Sequence, residues 1–212
     1  TTIPEQAFGL CENLTWIDIP EGITTIGKEA FTECSALEEI TIPASVTDVG
    51  NEAFKNCPCK ATINCDNVSF SGVGFTEVII GDGVTTIRDS TFSGCSSLTS
   101  VTIPDSVTTI GDYAFSGCSS LTSVTVGNSV TTIGENAFRN CASLAEFKGK
   151  FATEDGRCLV VNGELCAFAP AGIKEYTIPD SVTTIGYDVF CGCDSLTSVT
   201  IPDSVTTIGD YA

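Results

Sequence analysis

From Val84 to Phe147 the apolar positions of the chain recur with a period of about 23 residues, the length of one small supersecondary repeat. In one such unit Val101 and Ile103 alternate with Ser100 and Thr102, a period of two that buries one face of a short strand and wets the other. Pro104 and Asp105 end that strand, because proline donates nothing to a ladder and aspartate favours a turn. Val107 and Ile110 point inward again and Gly111 breaks the run. Asp112 to Phe115 is predicted to make one short helical or 3₁₀ turn, and Cys118 and Leu121 close the unit. Aligned on the isoleucine of Thr-Thr-Ile-Gly or its counterpart, the anchors are Ile3, Ile26, Val49, Ile87, Ile110, Ile133, Ile185 and Ile208, and five of the seven steps between them are one and the same period. A unit this short leaves apolar residues on two open faces, so it folds only between stacked neighbours. The pattern predicts one elongated domain over residues 1–212, with nine short parallel strands in one sheet centred near Ile17, Ile40, Ile63, Val78, Val101, Val124, Phe147, Tyr176 and Val199.

Two units break the period. Ile63 and Val78 stand well under one period apart, which marks a shortened repeat at about residues 58–80 that lacks the Thr-Thr-Ile-Gly and Ala-Phe elements. Phe147 and Tyr176 stand more than one period apart, which marks a lengthened one at about 148–176. The latter holds Glu154–Arg157 as a turn and Cys158–Cys166 as a β-hairpin, since Asn162-Gly163 supplies the two positive-φ residues of a type I′ turn. Ser97 to Ala114 returns without a change as Ser195 to Ala212, and both termini fall mid-repeat, as expected of a piece of a longer array.

A period of about 20 to 29 residues with the spacing Leu98, Val101, Ile103 and Leu121, Val124, Val126 is the mark of a leucine-rich-repeat solenoid. The expected fold is a curved, right-handed coil with a parallel sheet on its concave face, short helical or 3₁₀ turns on its convex side and one inserted hairpin. The run from Ile103 through Phe115, the Cys118 that follows and the Leu121, Val124 spacing resemble the BspA-like leucine-rich-repeat family of bacterial cell-surface proteins. The segment from Asp155-Gly156-Arg157 through Pro170 to Pro179 is similar to the hairpin that punctuates arrays in that family. The resemblance covers essentially the whole chain and departs from it most at residues 58–80. It implies a secreted or surface-anchored protein used in adhesion, with host matrix proteins such as fibronectin and fibrinogen among its partners.

Composition narrows the function. The net charge of −18, from 27 acidic and 9 basic residues, repels a phosphate backbone and an anionic membrane, so no nucleic-acid partner is expected. No apolar run approaches the roughly 18 residues of a membrane span. The chain has no histidine, which removes the commonest general base and any Ser-His-Asp or Cys-His site. Glu38-Glu39 straddles the two faces of a strand and Glu154-Asp155 lies in a turn, so neither is read as a catalytic pair. Asp105, Asp180 and Asp203 are read as solvated turn residues, with weak Ca²⁺ binding between coils as the alternative. Of 12 cysteines, Cys11, Cys34, Cys57, Cys95, Cys118, Cys141 and Cys193 each lie three residues after the repeat phenylalanine or its counterpart, and are read as a buried column of free thiols. Counting back from the Asn162-Gly163 turn sets Cys158 against Ala167 and Leu159 against Cys166, so no bridge joins the two thiols. No zinc site and no cofactor are expected. Asn13-Leu14-Thr15 and Asn67-Val68-Ser69 match the N-glycosylation pattern.

The outward strand residues are therefore the candidate binding surface. The short unit contributes Thr62 and Asn64 to it, and the middle and last coils only Ser and Thr. Distinctive side chains form two groups, Trp16, Asp18, Glu39, Glu77 and Ile79 towards the N terminus, and Glu146, Lys148 and Glu175 around the lengthened unit. Trp16 either belongs to this surface or caps the first coil. The expected function is non-enzymatic binding of a protein ligand; the alternative is a spacer with no ligand of its own.

Overall fold

The computed structural model describes residues 1–66 and 68–212, and every segment of regular structure in it is a short strand. The chain begins with β1 (Thr2–Ile3) and β2 (Thr25–Ile26). It continues through β3 (Glu39–Ile42), β4 (Asp48–Val49), β5 (Lys60–Ile63), β6 (Glu77–Ile80), β7 (Thr86–Ile87), β8 (Ser100–Thr102), β9 (Thr109–Ile110), β10 (Ser123–Thr125), β11 (Thr132–Ile133) and β12 (Glu146–Lys148). The hairpin is β13 (Cys158–Val161) and β14 (Glu164–Phe168), and the array resumes with β15 (Glu175–Thr177), β16 (Thr184–Ile185), β17 (Ser198–Thr200) and β18 (Thr207–Ile208). The longer strands pair in parallel in the spatial order β3-β5-β6-β8-β10-β12, and the two-residue Thr-Ile strands form a second parallel series. In the regular coils each residue meets its counterpart one full period on, as in Val101 opposite Val124 and Ile110 opposite Ile133. This is a leucine-rich-repeat solenoid.

Three expectations about the regular elements need correction. The convex side carries no helix of either kind among the described residues. Tyr113 (φ 55°) and Gly117 (φ 74°) are left-handed, as are Glu29 and Glu33, and Asn136 and Asn140, so a left-handed residue at every fourth position stops any helical turn. Alternate N–H groups along this turn are spent on the next coil instead, Tyr113 N donating to Glu135 O (2.9 Å), Phe115 N to Ala137 O (2.8 Å) and Gly117 N to Arg139 O (2.8 Å). Next, no strand forms at Ile17, where one main-chain bond, Glu38 N to Thr15 O (3.2 Å), ties the first coil to the second on this face. Last, the strand face is two sheets, because β15 pairs with β17 and not with β12.

The shortened unit closes its coil by a shift of register. Ala61, not Ile63, stands opposite Ile40 and Val78, so the residues that point outward beside Glu39 and Thr41 are Lys60 and Thr62 rather than Thr62 and Asn64. Its apparently missing phenylalanine is Phe70, whose N–H donates to Thr91 O (2.7 Å) as Phe92 N does to Ala114 O (2.8 Å). The rings stack coil on coil with centroids 5.2 Å apart for Phe8–Phe31 and Phe31–Phe54, and 5.3 Å for Phe92–Phe115 and Phe115–Phe138. Phe75 bridges the two stacks across the short unit.

The hairpin forms as expected, with Asn162 at φ 52° and Gly163 at φ 83°. A bulge between Leu159 and Val160 moves its register by one, so that Cys158 lies opposite Phe168 and Leu159 opposite Ala167, not opposite Ala167 and Cys166 as counted from the turn. Its second strand then runs parallel to β16, Leu165 beside Ile185, and takes the place that a Thr-Ile strand fills elsewhere. One core runs from Ile3 to Ala169 and a second, around Leu165, Phe168, Ile178 and Ile185, begins at the hairpin.

The cysteine column is explained by the same turns. Cys34, Cys57, Cys95, Cys118 and Cys141 are buried, and all 12 thiols are free. Sγ of Cys95, Cys118 and Cys141 lies 3.1 to 3.2 Å from the carbonyl oxygen of Phe70, Phe92 and Phe115 in the preceding coil, so the small apolar side chain also donates a weak hydrogen bond. Cys11 is exposed and Cys193 half-buried, so the column is hidden in five of its seven members.

The stacking of coils is testable at glycine and at cysteine. A Cβ added to Gly111 would sit 2.5 Å from Asp89 N and 2.7 Å from Arg88 C in the preceding coil, whereas one on Gly83 meets nothing within 4 Å. In urea unfolding Gly111→Ala should therefore cost about 1–3 kcal/mol, as other overpacked sites do, and Gly83→Ala less than about 0.5 kcal/mol. The thiols set an alkaline limit. Burial pushes Cys34 and Cys65 up to about 11 and Cys141 and Cys158 up to about 12. Above the ordinary thiol value near about 8.5 the unfolded chain sheds protons that the folded chain keeps. Their contribution to stability should be full below about pH 8.5 and fall above it by up to about 1.4 kcal/mol per pH unit for each thiol. Urea midpoints between pH 7 and 11 measure this; an unchanged midpoint would contradict it.

Candidate ligand-binding face

The in-register pairing of the long strands lines up two rows of outward side chains. One row runs Glu39, Lys60, Glu77, Ser100, Ser123, Glu146, and the other Thr41, Thr62, Ile79, Thr102, Thr125, Lys148. Hydrogen bonding along the strands fixes these positions, and alternation sends the intervening Ile40, Ala61, Val78, Val101, Val124 and Phe147 into the core. The face is thus uniform hydroxyl in its middle and chemically distinct at both ends.

At the N-terminal end the structure brings Glu39 of β3 and Glu77 and Ile79 of β6 onto one face, on strands separated only by β5. It adds Lys60, which sequence reasoning missed. Lys60 Nζ lies 3.3 Å from a Glu77 carboxylate oxygen, and Glu39 flanks it on the other side, so charge alternates across the strands. Both partners stand in water, and such a pair contributes little to stability. Trp16 and Asp18 belong to the coil before β3; Trp16 is 65% exposed, a large apolar surface left open beside this charged block.

The other expected group is divided. Glu146 and Lys148 share one face of β12, with Nζ 2.7 Å from the carboxylate, but Glu175 stands on β15 in the separate two-stranded sheet. Among the described residues there is no cluster of three or more Cys, Asp or Glu able to hold a metal. The turn residue Asp105 accepts the main-chain N–H of Asn128 in the next coil (2.7 Å), a structural use of its carboxylate. Asn13 is exposed; the second glycosylation pattern begins at Asn67, outside the described residues.

Comparison with known proteins fits the geometry. The model of the BspA type leucine rich repeat region matches residues 1–68, 63–153 and 164–212, in six copies. A leucine rich cell surface protein of Faecalibacterium prausnitzii is 28% identical, with a TM-score of 0.58 over 99% of this chain and 60% of that one. A leucine-rich repeat protein of Bacteroides ovatus is 30% identical, with a TM-score of 0.56 over 100% of this chain and 67% of that one. The pneumococcal vaccine antigen PcpA, at 19% identity and a TM-score of 0.56, shares the fold. The chain therefore spans 60% of the length of the first of these relatives. No curated protein is similar enough in sequence to be matched. With six copies of its repeat covering nearly every residue, the chain belongs to the BspA-type leucine-rich-repeat family.

Proposed function

We propose that this chain is a non-enzymatic protein-interaction and adhesion module of a bacterial cell surface, binding a protein ligand through the outward face of the β3–β12 sheet. The observation that carries the reading is the block of Glu39, Lys60, Glu77 and Ile79 beside exposed Trp16, set against the uniform hydroxyls of β8 and β10. Aromatic and charged side chains supply binding hot spots, and a desolvated indole or charge pair contributes about 2 kcal/mol or more where a rim hydroxyl contributes little. The surface location is supported by the likeness to the Faecalibacterium prausnitzii cell surface protein. Host matrix proteins such as fibronectin and fibrinogen are the candidate ligands that the family resemblance supplies.

A second reading, a spacer that binds nothing itself, is favoured by the identity of residues 97–114 with residues 195–212, since duplication of that kind adds length without new chemistry. Binding to immobilised matrix proteins separates the two. On the adhesion reading Trp16→Ala combined with Glu39→Ala and Glu77→Ala weakens binding by about tenfold or more, or about 1.4 kcal/mol. Ser100→Ala with Thr102→Ala, and Ser123→Ala with Thr125→Ala, change it less than about twofold. Equal losses from both sets would assign recognition to the uniform coils. No binding by the folded chain to any of the matrix proteins would favour the spacer.

A further inference from the structure

Where the strand face is interrupted, a sheet edge is left open. Among the described residues β15 pairs with β17 and with no strand on its other side. Ile178 N donates to Thr200 O (3.0 Å) towards β17, and successive N–H groups of a strand point to opposite edges. The N–H groups of Glu175 and Thr177 therefore point away from β17, and among the described residues no main-chain acceptor meets them. Such an edge is a template for another strand. On β12 the corresponding place is taken, because Phe147 N donates to Gly156 O (2.7 Å). The loop that carries Gly156 thus lies against β12, and an open groove of about 600 Å³ separates it from the chain that continues β15. Ala152, Thr153, Glu154 and Asp155 line one wall, and Pro179 and Ser181 the other.

The loop is held in place. Asp155 Oδ1 accepts hydrogen bonds from Thr153 Oγ1 (2.6 Å) and Arg157 N (2.9 Å), and Arg157 Nη1 donates to Ala169 O (3.3 Å) and Ala171 O (3.0 Å). Those bonds occupy the one cation of the loop's own turn; Glu154 and Asp155 of the groove wall stand exposed, as do Lys174 and Glu175 at β15 and Asp180 between the two residues of the other wall. Two main-chain donors two residues apart, about 6.6 Å along a strand, match alternate carbonyls of an extended chain and no compact ligand.

We propose that an extended peptide segment bearing lysine or arginine adds to the free edge of β15 as a further strand and runs on into this groove. This rests on the reading of the chain as a protein-binding module and assigns it a second contact surface away from Trp16 and Glu77. Main-chain pairing would supply the affinity and the acidic rim the preference for basic side chains.

The test is amide hydrogen exchange of the whole chain by NMR, with a blocked seven-residue peptide of alternating lysine and valine as the probe. At saturation the Glu175 and Thr177 amides should exchange at about one tenth of their free rate or slower. The same peptide with glutamate for lysine should not protect them, and the double variant E154K/E175K, altered only at exposed positions, should bind the lysine peptide about tenfold more weakly. Equal protection by the glutamate peptide, or no binding of the lysine peptide, would overturn the inference. Binding that protects the Glu39–Ile79 strands and leaves Glu175 and Thr177 unchanged would also overturn it, while leaving the adhesion reading intact.

Discussion

Everything in this molecule depends on the distance between one coil and the next. Main-chain hydrogen bonds on three sides of each regular coil set that distance, and side chains are used according to whether they tolerate it. Phenylalanine rings stack at 5.3 Å from Phe92 to Phe115 to Phe138. Threonine hydroxyls donate to the same carbonyls that the main chain uses, Thr99 Oγ1 to Thr76 O (2.8 Å) and Thr122 Oγ1 to Thr99 O (2.9 Å). The glycine of Thr-Thr-Ile-Gly is required because the preceding coil passes too close for a Cβ at Gly27, Gly50, Gly111 and Gly134. No coil holds a core of its own, so cohesion is a property of neighbours.

The regular coils are legible in the sequence because their alternation and their spacing agree. Val101 and Ile103 fall on one face of a strand, Ile110 recurs on period, and both signals point to one register. In the short unit these signals part. Ala61, Ile63 and Cys65 alternate and all three are buried, so apolar pattern alone cannot say which of them faces Ile40. The pair bonds say Ala61, and with that shift Lys60 joins the candidate face. The convex turns are not legible for another reason. Their left-handed residues include Glu29, Tyr113 and Asn136, and of these only asparagine favours that conformation. What holds the others there is cross-coil bonding that a local reading does not contain. The bulge at Leu159–Val160 is of the same kind, since turn chemistry locates the hairpin and cannot count the extra residue.

The hairpin is also where the stack changes hands. The ring of Phe138 meets Phe147 edge-on at 5.2 Å instead of a ring in the next coil, and Phe168 of the hairpin pairs with Tyr176 and Phe190 to open the second core. Arg139 spans this joint, with Nη1 3.2 Å from an oxygen of the buried Asp188 carboxylate. Two chemically distinct surfaces of the chain coincide with departures from the period. Shortening one coil brings a lysine between two glutamates, and lengthening another opens an edge of β15 beside an acidic loop. Variation of coil length thus changes surface chemistry while the core positions keep their pattern.

If coils are interchangeable units held by their neighbours, removing one whole period should leave a folded chain. Excision of residues 99–121 joins Leu98 to Thr122 and preserves the strand pattern on both sides of the cut. Excision of residues 99–109 removes about half a coil and puts the following strands out of register. Urea unfolding followed by circular dichroism compares the two. The whole-coil deletion is predicted to keep the β-sheet signal and one cooperative transition at a lower midpoint, and the half-coil deletion to lose both. Equal behaviour of the two deletions would contradict the stacking of equivalent coils as the source of the fold.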